Sequence, residues 1–137
     1  AEAAGVDQIF IAPPHASEET LAGVARHSRG YIYAVSRVGV TGAEWESSTD
    51  GLTDVVANLK RFGGVPPLLG FGISTPTHVA DAVAAGAAGA ISGSAVTALI
   101  ARHCSDSPGE RRTVDDIDAL KTELREFVAN MKAATRR

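Results

Sequence analysis

A chain of 137 residues, 45% hydrophobic and 21% charged, has the make-up of one ordinary globular domain. Its net charge of −3 argues against nucleic acid or an anionic membrane as partner, and no apolar run approaches the ~20 residues of a membrane span. The single cysteine, Cys104, rules out an internal disulfide and fits a reducing cytoplasm.

The opening Ala1-Glu-Ala-Ala-Gly5 resembles Ala82-Val-Ala-Ala-Gly86, and a short apolar run follows each. The second copy reads as a helix end closed by a glycine at the left-handed C′ position. By that parallel the first five residues are expected to be the tail of a helix that begins outside the chain. The chain is then expected to be a C-terminal piece of something longer.

Residues 9–12, Ile-Phe-Ile-Ala, form a continuous apolar run, the pattern of a parallel strand covered on both faces. Pro13-Pro14 ends it. Ser17 is placed to cap a helix with Glu18 and Glu19 in its positive first turn and Leu21, Val24 and Ala25 on one face. Gly30 stops that helix, and residues 31–35 make the next strand, with Tyr31 and Tyr33 alternating across it. One ring is thus free to face a barrel centre while the other faces helices.

Residues 38–51 form the longest connection, holding three glycines, three acids and the sole tryptophan, Trp45; such a length inside an α/β pattern reads as a lid or as disorder. Leu52, Val55, Val56, Leu59 and Phe62 give a helical stripe ended by Gly63-Gly64. Residues 67–71 are the third strand, with Gly72-Ile-Ser74 as its exit. Thr75 and Pro76 then open a helix as N-cap and first residue, and Gly86 closes it. Ala90 and Ile91 are the fourth strand, and Gly93-Ser94 turns into another helix. Residues 102–112 read as a polar surface loop containing Cys104, which makes that thiol incidental. Thr113 is expected to cap the last helix, with Asp115 and Asp116 in its first turn. Its buried stripe is expected to be Val114, Ile117, Leu120, Leu124, Phe127, Val128 and Met131, with Met131 as core filler.

Strand and helix alternate four times, which implies a parallel sheet with right-handed crossovers. The fold class is therefore α/β, and 1–137 is a single partial domain. A whole (β/α)8 barrel needs ~250 residues, so four units are either half of one or a small open sheet. As a half barrel, the chain would expose two unpaired strand edges and an apolar inner face.

Parallel α/β folds bind ligands at the carboxyl ends of their strands. The residues at those ends are Pro13, Pro14 and His15; Ser36 and Arg37; Gly72 and Ser74; and Ser92, Gly93 and Ser94. Two glycine- and hydroxyl-rich exits, each entering a helix N-terminus, suit an anion, and Gly42 in the long connection adds a further amide. Tyr33 is either a packed aromatic or a wall for a flat ligand. No Asp or Glu stands at any of the four exits, so paired acid–base carboxylates are missing. His15 reads as a solvated loop residue, and His27, His78 and His103 lack metal-ligand spacing.

Five motifs, in order, resemble the tryptophan synthase alpha chain family: Ile9-Phe-Ile-Ala-Pro-Pro14, Ser36-Arg-Val-Gly-Val-Thr-Gly42, Gly70-Phe-Gly-Ile-Ser74, Gly86-Ala-Ala-Gly-Ala-Ile-Ser-Gly-Ser-Ala95 and the ending Phe127-Val-Ala-Asn-Met-Lys-Ala-Ala-Thr135. The resemblance implies the C-terminal four βα units of a (β/α)8 barrel. Its intact form would cleave indole-3-glycerol phosphate to indole and glyceraldehyde 3-phosphate in tryptophan biosynthesis, and would pass indole to a beta chain that carries pyridoxal phosphate. The alpha subunit itself would carry no cofactor and no metal. By the resemblance, Gly42, Gly72, Gly93 and Ser94 bind the substrate phosphate, Tyr33 and Phe71 border its indole and glycerol part, Thr41 helps close the site, and Arg37 steadies that loop. The family's catalytic Glu and Asp belong to the N-terminal half, so this chain alone is expected to be inactive. Two other readings remain open at this point. One is another phosphate-binding barrel, such as a phosphoribosyl isomerase or ribulose-phosphate epimerase. The other is a free-standing, non-catalytic four-strand phosphate-binding module.

Overall fold

The computed structural model describes residues 1–35, 51–105 and 113–136. Four short parallel strands, β1 (Ile11–Ala12), β2 (Ile32–Ala34), β3 (Pro67–Leu69) and β4 (Gly89–Ala90), alternate with helices α1 (Glu18–His27), α2 (Leu52–Arg61), α3 (Pro76–Ala84) and α4 (Ser94–Arg102), and α5 (Ile117–Ala133) ends the chain. The spatial order is β1-β2-β3-β4. Each strand therefore lies beside its predecessor in sequence, the winding of a barrel wall. A doubly wound sheet would reverse its order part-way.

The register shows which face is covered. Ala12, Ala34, Leu69 and Ala90 form one row across the sheet. The first three are fully buried beneath the helices, and Ala90 packs against the same core. One cluster joins Ala12 and Ile32 to Leu21, Val24 and Ala25 of α1 and to Val55 and Leu59 of α2. The other joins Ala34 and Leu69 to Val56 of α2, Val79 and Ala82 of α3 and Met131 of α5. The alternate row, Ile11, Tyr33, Leu68 and Gly89, points away from that helical layer, and Ile11 is 60% exposed. Parallel sheets are ordinarily covered on both faces; among the described residues helices cover one.

Helix starts follow the sequence closely. Ser17 accepts the Thr20 amide at 3.2 Å, and Thr75 accepts that of His78 at 3.3 Å with Pro76 at the first helical position. Gly5, Gly30 and Gly86 have φ of 67°, 72° and 100°, and residues 2–4 form a short 3-10 turn ahead of Gly5.

Several expectations change. The third strand ends at Leu69 and not at residue 71, and the fourth is Gly89–Ala90, one residue earlier than expected. The apolar run at 9–12 is a strand only over Ile11–Ala12, and Ile9 and Phe10 are 44% and 39% exposed. The run lies at the sheet's edge, paired with β2 on one side only, and no described residue lies on its other side as a strand. The last helix is capped by Asp116, whose Oδ1 accepts the amides of Asp118 at 3.0 Å and Ala119 at 2.9 Å. Thr113 instead gives its carbonyl to the Ser105 amide beside an antiparallel bridge between Cys104 and Val114. Cys104 accordingly sits half-buried where α4 ends, its thiol 3.3 Å from the Ile100 carbonyl. The stripe on α5 is narrower than its periodicity suggests, since Leu120 and Met131 are buried while Val114, Ile117 and Val128 are exposed. Among the described residues, no helix is long and apolar enough to cross a membrane.

Candidate functional site

At the carboxyl ends of the middle strands, β3 leaves the sheet through Gly70, Phe71 and Gly72, and β4 leaves it through Ile91, Ser92 and Gly93. The ladder between them ends with the Ile91 amide donating to the Leu69 carbonyl at 2.8 Å. Beyond that link the two chains part and leave a pocket of about 350 Å³ between them. Its wall includes Tyr33, Phe71, Gly72, Gly93, Ser94 and Thr97.

Each side of the pocket has its own backbone logic. Gly72 has φ 71°, a left-handed conformation that L side chains adopt only under strain. Gly93 differs: its φ is −122°, and a Cβ there would meet nothing within 4 Å. Neither a left-handed φ nor packing calls for glycine at 93; the atoms it omits would fall in open space beside the pocket that it lines. Gly93 is the N-cap of α4 and supplies no capping side chain, and no acidic residue occupies the first turn. The first amides of α4 therefore present an uncompensated positive end.

The exit from β3 enters its helix differently. The Ser74 amide is satisfied by His78 Nδ1 at 3.3 Å, and Thr75 caps α3. That helix start is closed by its own side chains, so the anion-favouring helix terminus of the pocket is that of α4.

Tyr33 is fixed in a defined pose. Its ring lies over Gly70, where a Cβ would fall inside the ring, and its hydroxyl donates to the Gly70 carbonyl. The sequence marked Tyr33 as wall or core; the structure puts it on the helix-free face, lining the pocket. Five of the expected site residues, Tyr33, Phe71, Gly72, Gly93 and Ser94, meet at this one pocket. Arg37, Thr41 and Gly42 lie outside the described residues, as do Ser36 and Trp45. His15 is exposed, with φ 57°, in the turn after β1, away from the pocket lining. Thr97 escaped the sequence reading, although its place one turn after Ser94 puts it on the same helix face. No described residue lining the pocket is acidic, and among the described residues no cluster of His, Cys, Asp or Glu forms a metal site.

The family model of the tryptophan synthase alpha chain matches residues 1–136. The chain belongs to that family. It is 64% identical, over its whole length, to the tryptophan synthase alpha chain of Corynebacterium efficiens and 49% identical to that of Vibrio vulnificus, covering 49% and 47% of those chains. It thus spans about half the length of the curated alpha chains it matches. Among solved structures it is similar to Mycobacterium tuberculosis tryptophan synthase, with a TM-score of 0.71 at 27% identity, over 99% of this chain and 44% of that one. It is equally similar to a chain of the Pyrococcus furiosus tryptophan synthase α2β2 complex, with a TM-score of 0.71 at 26% identity, over 97% and 48%. The alpha-chain likeness gives the four βα units their frame: they match about half of a closed barrel, which agrees with a sheet covered by helices on one face.

Proposed function

We propose that this chain is the substrate-phosphate-binding half of a tryptophan synthase alpha subunit whose intact (β/α)8 form cleaves indole-3-glycerol phosphate to indole and glyceraldehyde 3-phosphate. The observation that carries the reading is the convergence of the Gly72 turn and the uncapped start of α4, at Gly93 and Ser94, on one pocket. Backbone amides and a helix N-terminus are suited to a phosphate, which needs several donors and no base. In this reading Gly72, Gly93 and Ser94 hold the phosphate, with Gly42 joining from the connection after β2. Tyr33 and Phe71 flank the indole and glycerol part. Thr41 closes that connection over substrate, and Arg37 steadies it.

Cleaving the carbon–carbon bond requires an acid to protonate the indole ring carbon and a base for the glycerol hydroxyl. The described pocket wall supplies neither carboxylate. In this reading the acid and base come from the half of the barrel that this chain does not span, and these residues alone are inactive. Two surfaces support such a partner. One is the β1 edge with exposed Ile9, Phe10 and Ile11. The other is an apolar trough of about 630 Å³ along β4 and α5, walled by Leu68, Ala90, Val96, Phe127 and Met131. The trough is larger than the pocket but follows a sheet edge, and neither Gly72 nor Gly93 lines it, so it suits a neighbouring strand and helix better than a small ligand. A beta chain carrying pyridoxal phosphate, like that implied by the α2β2 assembly named for the Pyrococcus relative, receives the indole from the completed barrel in the cytoplasm.

Mixing the chain with the N-terminal half of a related alpha subunit and supplying indole-3-glycerol phosphate tests this. Indole is released only from the mixture. Two folded, associated halves that release none at any ratio would overturn the assignment.

A further inference from the structure

The two walls of the pocket are separate loops, and one side chain joins them. Past the last ladder bond, from the Ile91 amide to Leu69, the β3 exit swings outward through Gly72 and returns at Ile73, which is 3% exposed. The Ser92 hydroxyl donates to the Ile73 carbonyl at 2.7 Å across nineteen positions of sequence. Ser92 directly precedes Gly93, and Ile73 directly follows Gly72. The bond therefore ties together, one residue removed on each side, the two amide-bearing turns that face the pocket. Ser92 is not among the residues that line the pocket, so its hydroxyl acts through the loops and does not touch a bound anion.

We infer that Ser92 is a positioning residue, a clasp that holds the Gly72 turn against the start of α4 so that both sets of amides reach one anion. The inference rests on the phosphate reading above. Backbone donors hold an oxyanion well only when they are preorganised, because freely moving donors lose much of their binding energy to ordering. Past the Ile91–Leu69 ladder bond, the Ser92 hydroxyl is what links the two exits at this point. Removing the hydroxyl leaves the amides present but their spacing unset.

The test uses the full chain, inorganic phosphate as probe and backbone amide NMR as readout, beside urea unfolding. Wild-type chain is expected to shift the amides of Gly72, Gly93 and Ser94 together as phosphate is added. Ser92→Ala is expected to bind phosphate roughly tenfold more weakly, with the Gly72 response lost and the Ser94 response kept, beside the modest drop in urea midpoint that follows from losing the Ile73 carbonyl's partner. Ser92→Thr, which keeps the hydroxyl, restores the joint response. A purely structural role would weaken all three responses alike. Ser92→Ala with wild-type affinity and all three shifts, or Ser92→Thr as weak as Ser92→Ala, overturns the inference. Should Ser92→Ala fail to fold, Ser92→Cys, with its weak thiol donor, reads the same bond: intermediate affinity supports the clasp, and wild-type affinity overturns it. A wild-type chain whose three amides all ignore phosphate overturns the phosphate reading instead.

Discussion

Gly93 and Gly70 show two different reasons for a residue without a side chain. At Gly70 the reason lies inside the fold, because the Tyr33 ring occupies the space a Cβ would need. At Gly93 there is no such reason: φ lies outside the left-handed region and the neighbouring space is empty. A substitution at 93 should then separate binding from folding. Gly93→Val is expected to cost no more than the ~1 kcal/mol of a poor N-cap residue while adding bulk beside the pocket that Gly93 lines. Phosphate affinity should fall on the order of tenfold or more. Titration with inorganic phosphate and a urea melt on the same variant measure both; a large loss of stability with binding intact would contradict the account.

Helices α4 and α5 are joined by a charged cluster as well as by packing. Glu123 on α5 pairs with Arg102, and its Oε2 lies 2.6 Å from Nε2 of His103. The hydrogen bond to His103 is the main cause holding the Glu123 carboxyl below the ordinary carboxylate range, partial desolvation opposes it, and the Arg102 charge adds to it. A lowered folded-state pKa means the native chain releases this proton more readily than the unfolded chain. The stabilisation is therefore complete above the ordinary glutamate range and fades as pH falls through the depressed value. Because Arg102 is exposed and Glu123 only half-buried, the effect is small and salt-sensitive. Glu123→Gln is expected to unfold more easily than wild type near neutral pH, and the gap should narrow as acid protonates Glu123 in the native state. Urea melts across the acid range at low and high salt check the sign. A gap that widens on acidification would contradict it.

At the scale of the whole molecule, the described residues form a sheet with one finished face. Their helices cover the row of Ala12, Ala34, Leu69 and Ala90 and not the row containing Ile11, Tyr33 and Leu68. Ile11, 60% exposed on edge strand β1, contributes little to the chain's own core and much to any strand that pairs there. Ile11→Lys is expected to leave the isolated chain's stability within about 0.5 kcal/mol and to block association with the complementary half-barrel. Analytical ultracentrifugation of the mixed halves reads this directly; unimpaired association would show that the barrel closes elsewhere.

Much of this arrangement was legible in residue order alone. Caps at Ser17 and Thr75, the stop at Gly86 and the alternation of strand and helix are local signals, set by hydrogen bonds and dihedral preferences within a few residues. The edge position of β1, the capping of α5 by Asp116 and the exposure of Ile117 and Val128 are not local. An apolar run looks the same whether a neighbour covers it or not, and a helical stripe looks the same whatever part of it is docked. The sequence by itself therefore determined the elements, their order and the family. Only the tertiary structure decided that the Gly72 turn and the start of α4 share one pocket, that Tyr33 lies over Gly70, and that the Ser92 hydroxyl reaches Ile73. Those contacts join residues 19 or 37 positions apart, and distance along the chain becomes proximity only when parallel strands bring their carboxyl ends together.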